Sequence, residues 1–153
     1  MKRLHVSLAV AELETTTQFY TALFGSAPTM ERDHYVQWAL DDPAINFVIE
    51  DSGSKIGLSH LGIQANDEAE LQDQFAKVSA TGSQIVDQGE TQCCYAKSTK
   101  NWVVDPDGIP WETFLTHSRT EDFGEPFVAG LEQTDEAPKK RETARVTSGA
   151  RCC

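Results

Sequence analysis

The chain contains no apolar run approaching the ~20 residues that span a bilayer, so no transmembrane helix is expected. Positive charge is scarce. Lys and Arg number 13 against 24 Asp and Glu, a formal net charge of −11, which argues against nucleic acid or an anionic membrane surface as partner. Part of that charge lies in a polar tail and says little about any site. The start, Met1-Lys2-Arg3, lacks the apolar core and cleavage site of a signal peptide. The four cysteines form two adjacent pairs, Cys93-Cys94 and Cys152-Cys153, rather than the spaced framework of a disulfide-rich secreted domain. A cytoplasmic protein with reduced thiols is therefore expected. At 153 residues the chain suffices for one domain with a sizeable core, not for two independent ones.

What is present is periodicity. Leu4 to Val10 alternates, with Leu4, Val6, Leu8 and Val10 on one face and His5, Ser7 and Ala9 on the other. Leu13 to Phe24 reads as a helix whose buried side is Leu13, Phe19, Tyr20, Leu23 and Phe24, closed by Gly25. Strands are expected at Ala27 to Met30, Tyr35 to Leu40 and Ile45 to Glu50. Asp51-Ser52-Gly53-Ser54 reads as a linker, and the pattern then restarts. A strand over Ser59 to Ala65 leads to an Asp67-x-x-Glu70 capping box, a helix carrying Leu71, Phe75 and Val78, and a stop at Thr81-Gly82. Further strands are expected at Gln84 to Gln88, around Tyr95 to Ser98, at Trp102 to Val104 and at Pro110 to Thr116. Asp105-Pro106-Asp107-Gly108 marks the turn before the last.

The fold class implied is α+β: two tandem βαβββ modules, about 1–50 and 59–117, whose curved mixed sheets enclose a cleft. Residues 118–153 are rich in Glu, Thr, Lys, Ala and Pro, and their composition predicts a mostly disordered tail in which Phe123 to Leu131 docks on the body. The pattern is compatible with modules paired within one chain or exchanged between the chains of a homodimer.

His5 and His60 stand 55 residues apart at matching points of the two modules, and Glu112 lies on the last strand of the second. Each sits on the less apolar face of its strand. A buried carboxylate is costly without a positive partner, which a divalent cation would supply. A lone histidine would be read as a core residue with a satisfied hydrogen bond. Three candidates matched by repeat position point instead to a metal capped on one face and open on the other. These ligand types accept iron, manganese, nickel, cobalt or zinc. His34 falls in a charged turn, and His117 has the wrong parity for the cleft.

The segments HVSLAV…FYTALFG, HLGIQ and DPDGIPWETF resemble the vicinal oxygen chelate proteins, a superfamily of glyoxalase-like enzymes, extradiol dioxygenases, fosfomycin thiol transferases and bleomycin-binding proteins. The resemblance covers about residues 1–117. It implies a metal held between paired modules, with His5, His60 and Glu112 matching the members that use three protein ligands. Ile45-Asn46-Phe47 offers no acidic ligand in the first module, unlike the four-ligand glyoxalase I pattern.

Vicinal thiols suit thiophilic centres such as trivalent arsenic or cadmium. Adjacent residues of a regular strand face opposite ways, so Cys93 and Cys94 could grip one atom only from a bend or loop, for which Gln88 to Thr91 provides a mobile stretch. Lys97 and Lys100 nearby would favour thiolates. The segment GETQCCYAKS…NWVVDPDGIPWE resembles the organoarsenical carbon–arsenic lyases, whose relatives are often labelled cadmium-induced proteins. That resemblance implies an Fe(II)-dependent dioxygenase with His5, His60 and Glu112 as iron ligands. Cys93 and Cys94 would hold a trivalent methyl or aromatic arsenical, dioxygen would be the co-substrate, and arsenite the product. Two alternatives are a metal-dependent thiol transferase of the fosfomycin-resistance type and a non-catalytic binder of cadmium or arsenite. Tyr35, Trp38, Phe47, Tyr95 and Trp102 are read as core rather than site. Cys152-Cys153 is given no catalytic role.

Overall fold

A computed structural model of the chain describes residues 1–124, without the side chains of residues 92–94 and 120–124. Nine elements follow in order: β1 (Arg3–Ala9), α1 (Leu13–Phe24), β2 (Met30–Arg32), β3 (Tyr35–Asp41), β4 (Ala44–Glu50), β5 (Gly57–Ala65), α2 (Glu68–Ser79), β6 (Ile85–Val104) and β7 (Pro110–Gly124). The strands form one mixed sheet in the order β2-β3-β4-β1-β5-β7-β6. Each half repeats one rule. The first strand pairs in parallel with the last of its module, β1 with β4 and β5 with β7, because a helix makes the crossover between them. The halves meet where β1 and β5 pair antiparallel within this one chain.

The local chemistry explains the boundaries. Gly25 ends α1 at φ 62°, a left-handed cap that a side chain would resist. Asp67 caps α2 by accepting from the Glu70 amide at 2.9 Å, while the Glu70 carboxylate reaches back to the Asn66 amide at 2.9 Å. The capping box thus closes one residue earlier than its usual reciprocal form. Behind the first half, Val36, Trp38, Phe47 and Ile49 form a core against which Tyr20 and Phe24 of α1 pack. Behind the second half, Ala65, Leu71 and Leu115 pack with Phe75. A Val, Leu or Ile side chain fully buried in these cores stabilises by about 1.5–3 kcal/mol.

Five expectations are corrected. Phe19 and Leu23 are 61% and 62% exposed, because α1 meets the sheet through Leu13, Tyr20 and Phe24 and turns its other apolar flank outward. The strand expected at 27–30 lies at Met30–Arg32, set by antiparallel pairing with Tyr35 to Gln37. The three strands expected between 84 and 104 are one strand of 20 residues. The stretch 88–91, expected as a mobile loop, lies inside it, with Gly89 at φ 60°. The last strand runs past Thr116 to Gly124, so seven residues assigned to the tail pair with β6 or extend the strand beside it. Glu125 onward, including most of the Phe123–Leu131 segment and Cys152-Cys153, lies outside the described residues.

Candidate metal centre

On β1 the residues buried deepest are not the apolar ones. His5, Ser7 and Ala9 are 5%, 1% and 3% exposed, whereas Leu4 is 43% exposed. The sheet curls over this face and encloses a cavity of about 930 Å³ lined from both modules. His5, Ser7, Asn46, Val48, Glu50, His60, Gln64, Glu112 and Phe114 all line it, as strand alternation requires.

The three candidates converge there. His5 Nε2 lies 3.1 Å from His60 Nε2, and Glu112 Oε2 is 3.8 Å from each. This His-His-Glu group can hold a metal ion, its ligand atoms all lying within 4.8 Å of one another. The spacing fits. Two nitrogens each about 2.1 Å from a metal and at right angles around it stand about 3.0 Å apart. His5 Nδ1 lies 3.0 Å from the Asn46 carbonyl, which can only accept, so Nδ1 carries the proton and Nε2 offers a lone pair inward. Phe114 meets the His5 ring edge-on at 5.2 Å, and Trp102 meets His60 likewise at 5.1 Å.

Electrostatics keep the donors in their ligating forms. Burial lowers the pKa of His5 and takes His60 from 6.5 to about 4, against the pull of the Glu112 charge. Burial by itself would raise Glu112. Lys100, His60 and His5 outweigh it and hold the carboxyl below its usual range.

Lys100 was missed as a site residue. Its Nζ lies 2.5 Å from Glu112 Oε1, with both side chains buried, so the carboxylate already has a positive partner and presents Oε2 to the histidines. The sequence argument named a divalent cation as the positive partner of Glu112, and Lys100 supplies one from within the chain. The missing signal was register: Trp102 is opposite Glu112, which places Lys100 two residues along the same face. A bridge through Asn46 was also missed. Gln37 donates to Asn46 Oδ1 at 2.7 Å, and Asn46 Nδ2 donates to Gln64 at 3.1 Å, tying β3, β4 and β5 together behind the donors.

The internal repeat explains why, among the described residues, three candidate ligands converge rather than four. Ser7 pairs with Val48 as Gly62, 55 residues on, pairs with Glu112. Val48 therefore stands where the first module's counterpart of Glu112 would be. It is 2% exposed and lines the cavity, so the first module supplies no carboxylate at that register position.

Of the remaining expectations, Trp38 and Phe47 are core, but Tyr35, Tyr95 and Trp102 line the cavity. Tyr35 meets Tyr95 edge-on at 5.8 Å and Arg32 stands 5.5 Å over the Tyr95 ring, joining the modules across the cavity. His117 is exposed and bonds Thr99 Oγ1 at 2.7 Å, and His34 is an exposed turn residue. The main chain of Cys93-Cys94 belongs to β6, with Cys94 opposite Gly124 and a register shift before Ala96. The two thiols lie outside the described side chains.

Paired βαβββ halves with a His-His-Glu group at their seam define a class of open-faced metal-binding folds. The chain belongs to the Glyoxalase/Bleomycin resistance protein/Dioxygenase superfamily, whose family model matches residues 2–113. It is 37% identical over 128 residues to the trivalent organoarsenical cleaving enzyme of Bacillus sp. strain MD1, covering 80% of this chain and 78% of that one. It is 31% identical over 159 residues to the trivalent organoarsenical cleaving enzyme of Thermomonospora curvata, covering 100% of both. Among solved structures, the Mn(II)-bound glyoxalase of Novosphingobium aromaticivorans shares the fold, with a TM-score of 0.56 at 13% identity over 84% of this chain and 44% of that one.

Proposed function

We propose that this protein cleaves the carbon–arsenic bond of trivalent organoarsenicals as an Fe(II)-dependent dioxygenase and releases arsenite. The observation that carries the reading is the convergence of His5, His60 and Glu112 in a cavity also lined by Tyr95, the residue after the thiol pair. Relatives at 37% and 31% identity that bear the organoarsenical name support the choice of substrate.

In this reading Cys93 and Cys94, at the irregularity that breaks the β6 register between Cys94 and Ala96, bind arsenic by replacing two hydroxyl groups of R–As(OH)₂ with two sulfurs, which releases two waters. The organic group enters the cavity against Tyr35 and Tyr95. His5 and His60, neutral at pH 7, and Glu112, ionised beside Lys100, would hold iron(II) on one face. Iron(II) bound there supplies activation of dioxygen. The chain contributes position: it holds the arsenic-bound carbon and the oxygen-activating centre in one enclosed space, an effect worth several kcal/mol of barrier.

The test is arsenic speciation after iron-loaded protein meets a trivalent methyl- or phenylarsenical in air. Arsenite formed only with iron and dioxygen supports the proposal. An intact, bound arsenical identifies a sequestering protein instead. Glu112→Ala should abolish turnover and weaken iron binding. Cys93→Ser should cripple arsenical handling at near-normal iron content.

A further inference from the structure

Lys100 is tied down on three sides. Its Nζ donates to Glu112 Oε1 at 2.5 Å, and it lies 5.8 Å from the centre of the Phe114 ring and 6.0 Å from that of Trp102. These are the same two rings that meet the histidines edge-on, Phe114 against His5 and Trp102 against His60. Register sets the arrangement, since Lys100 pairs with Phe114 and Trp102 with Glu112 across β6 and β7. The side chains of Lys100 and Glu112 are 7% and 6% exposed. The cation is thus built into the wall of the centre and cannot swing away without breaking a buried ion pair.

The two oxygens of Glu112 therefore keep different company. Oε1 accepts from the ammonium, whereas Oε2 lies 3.8 Å from both His5 Nε2 and His60 Nε2. A carboxylate can bind a cation through one oxygen or through both. Two-oxygen binding here would bring a dication to the oxygen that already carries the lysine. Both side chains are buried, so like charges repel there more strongly than in water. One-oxygen binding satisfies every group: Oε2 faces the ion and Oε1 keeps its ammonium.

We propose that Lys100 is a positioning residue that holds Glu112 to one-oxygen coordination and so reserves a place on the metal for a ligand from outside the protein. The inference deepens the function proposed above and rests on its reading of His5, His60 and Glu112 as ligands. The lysine acts in two opposed ways. It orients the carboxylate, and it repels the ion that the carboxylate attracts, so the centre gives up affinity in return for openness. It also leaves a loaded centre one unit more positive than two neutral histidines and a carboxylate would, which favours an anionic outside ligand.

The test reads coordination and affinity rather than turnover. Infrared difference spectra of Zn(II)-loaded against metal-free protein, with ¹³C-labelled glutamate, isolate the carboxylate stretches, and Glu112→Gln assigns the band. The parent should show the wide splitting of those stretches that marks one-oxygen binding. Lys100→Met, similar in length but uncharged, should narrow the splitting and bind Co(II) about tenfold more tightly. Azide binding to its Co(II) centre should weaken by a similar factor. The sign separates this role from simple bracing: a lysine that only braced the strands would, once removed, loosen the site and weaken Co(II) binding. Lys100→Arg, which keeps the charge, should keep the wide splitting and the parent affinity. Unchanged or weaker Co(II) binding by Lys100→Met would overturn the proposal. If that variant does not fold, the parent spectrum decides, because a narrow splitting there overturns it equally. Undiminished Co(II) binding by His60→Ala would instead overturn the ligand assignment beneath it.

Discussion

Lys100 shows what one side chain contributes. Its ammonium and the Glu112 carboxylate are both buried, so removing either partner strands a charge. Lys100→Met should lower the stability of the metal-free protein by about 3–5 kcal/mol, read from urea unfolding. Saturating divalent metal should restore part of the loss, because the ion then faces the carboxylate. An unshifted unfolding midpoint would exclude the pair as a structural element. His5, His60 and Glu112 were legible in the sequence because strand parity and the 55-residue offset are local facts of spacing. Lys100 and Asn46 were not, because their partners are chosen by register between strands, which single-strand periodicity does not carry.

The pairing of β5 with β7 illustrates an element that depends on the lack of a side chain. Gly62 lies opposite Glu112, and a methyl group there would overlap the Glu112 main-chain carbonyl. Gly62→Ala should therefore push the strands apart where the Glu112 carboxylate is set. We expect a loss of about 1–3 kcal/mol in stability from overpacking, with metal affinity reduced as well. Thermal unfolding and a Co(II) titration measure the two effects. A fully parent-like variant would show that the strands yield without consequence. The helices and five of the seven strands were legible from caps, turns and alternation, while β2 was set too early. The unity of β6 was not, because Gln88 to Thr91 read as a loop and Thr99 to Asn101 fell between two expected strands. Pairing along β7 carries the strand through them.

Across the whole molecule, acid is the natural probe. His60 has a folded pKa of about 4 against an ordinary 6.5, and His5 is shifted the same way, so the unfolded chain takes up protons first as pH falls. The stability these groups contribute is complete above pH 6.5 and is lost between 6.5 and about 4. Glu112, also lowered, extends the loss further into acid, while Glu50, raised, acts in the opposite sense. Urea midpoints of the metal-free protein should fall from pH 7.5 to pH 5, and His60→Gln should flatten that slope. An equal slope in the variant would assign the acid sensitivity elsewhere. No helix among the described residues is long and apolar enough to cross a membrane. The valine at position 48 gives the molecule a direction. A repeat that kept its symmetry would surround the centre with like donors from both halves, and nothing would distinguish one approach from the other. With an apolar side chain in one half and a carboxylate in the other, the centre has a front and a back. In the reaction proposed above, dioxygen and the carbon–arsenic bond would approach past this side, where the repeat supplies a valine in place of a carboxylate.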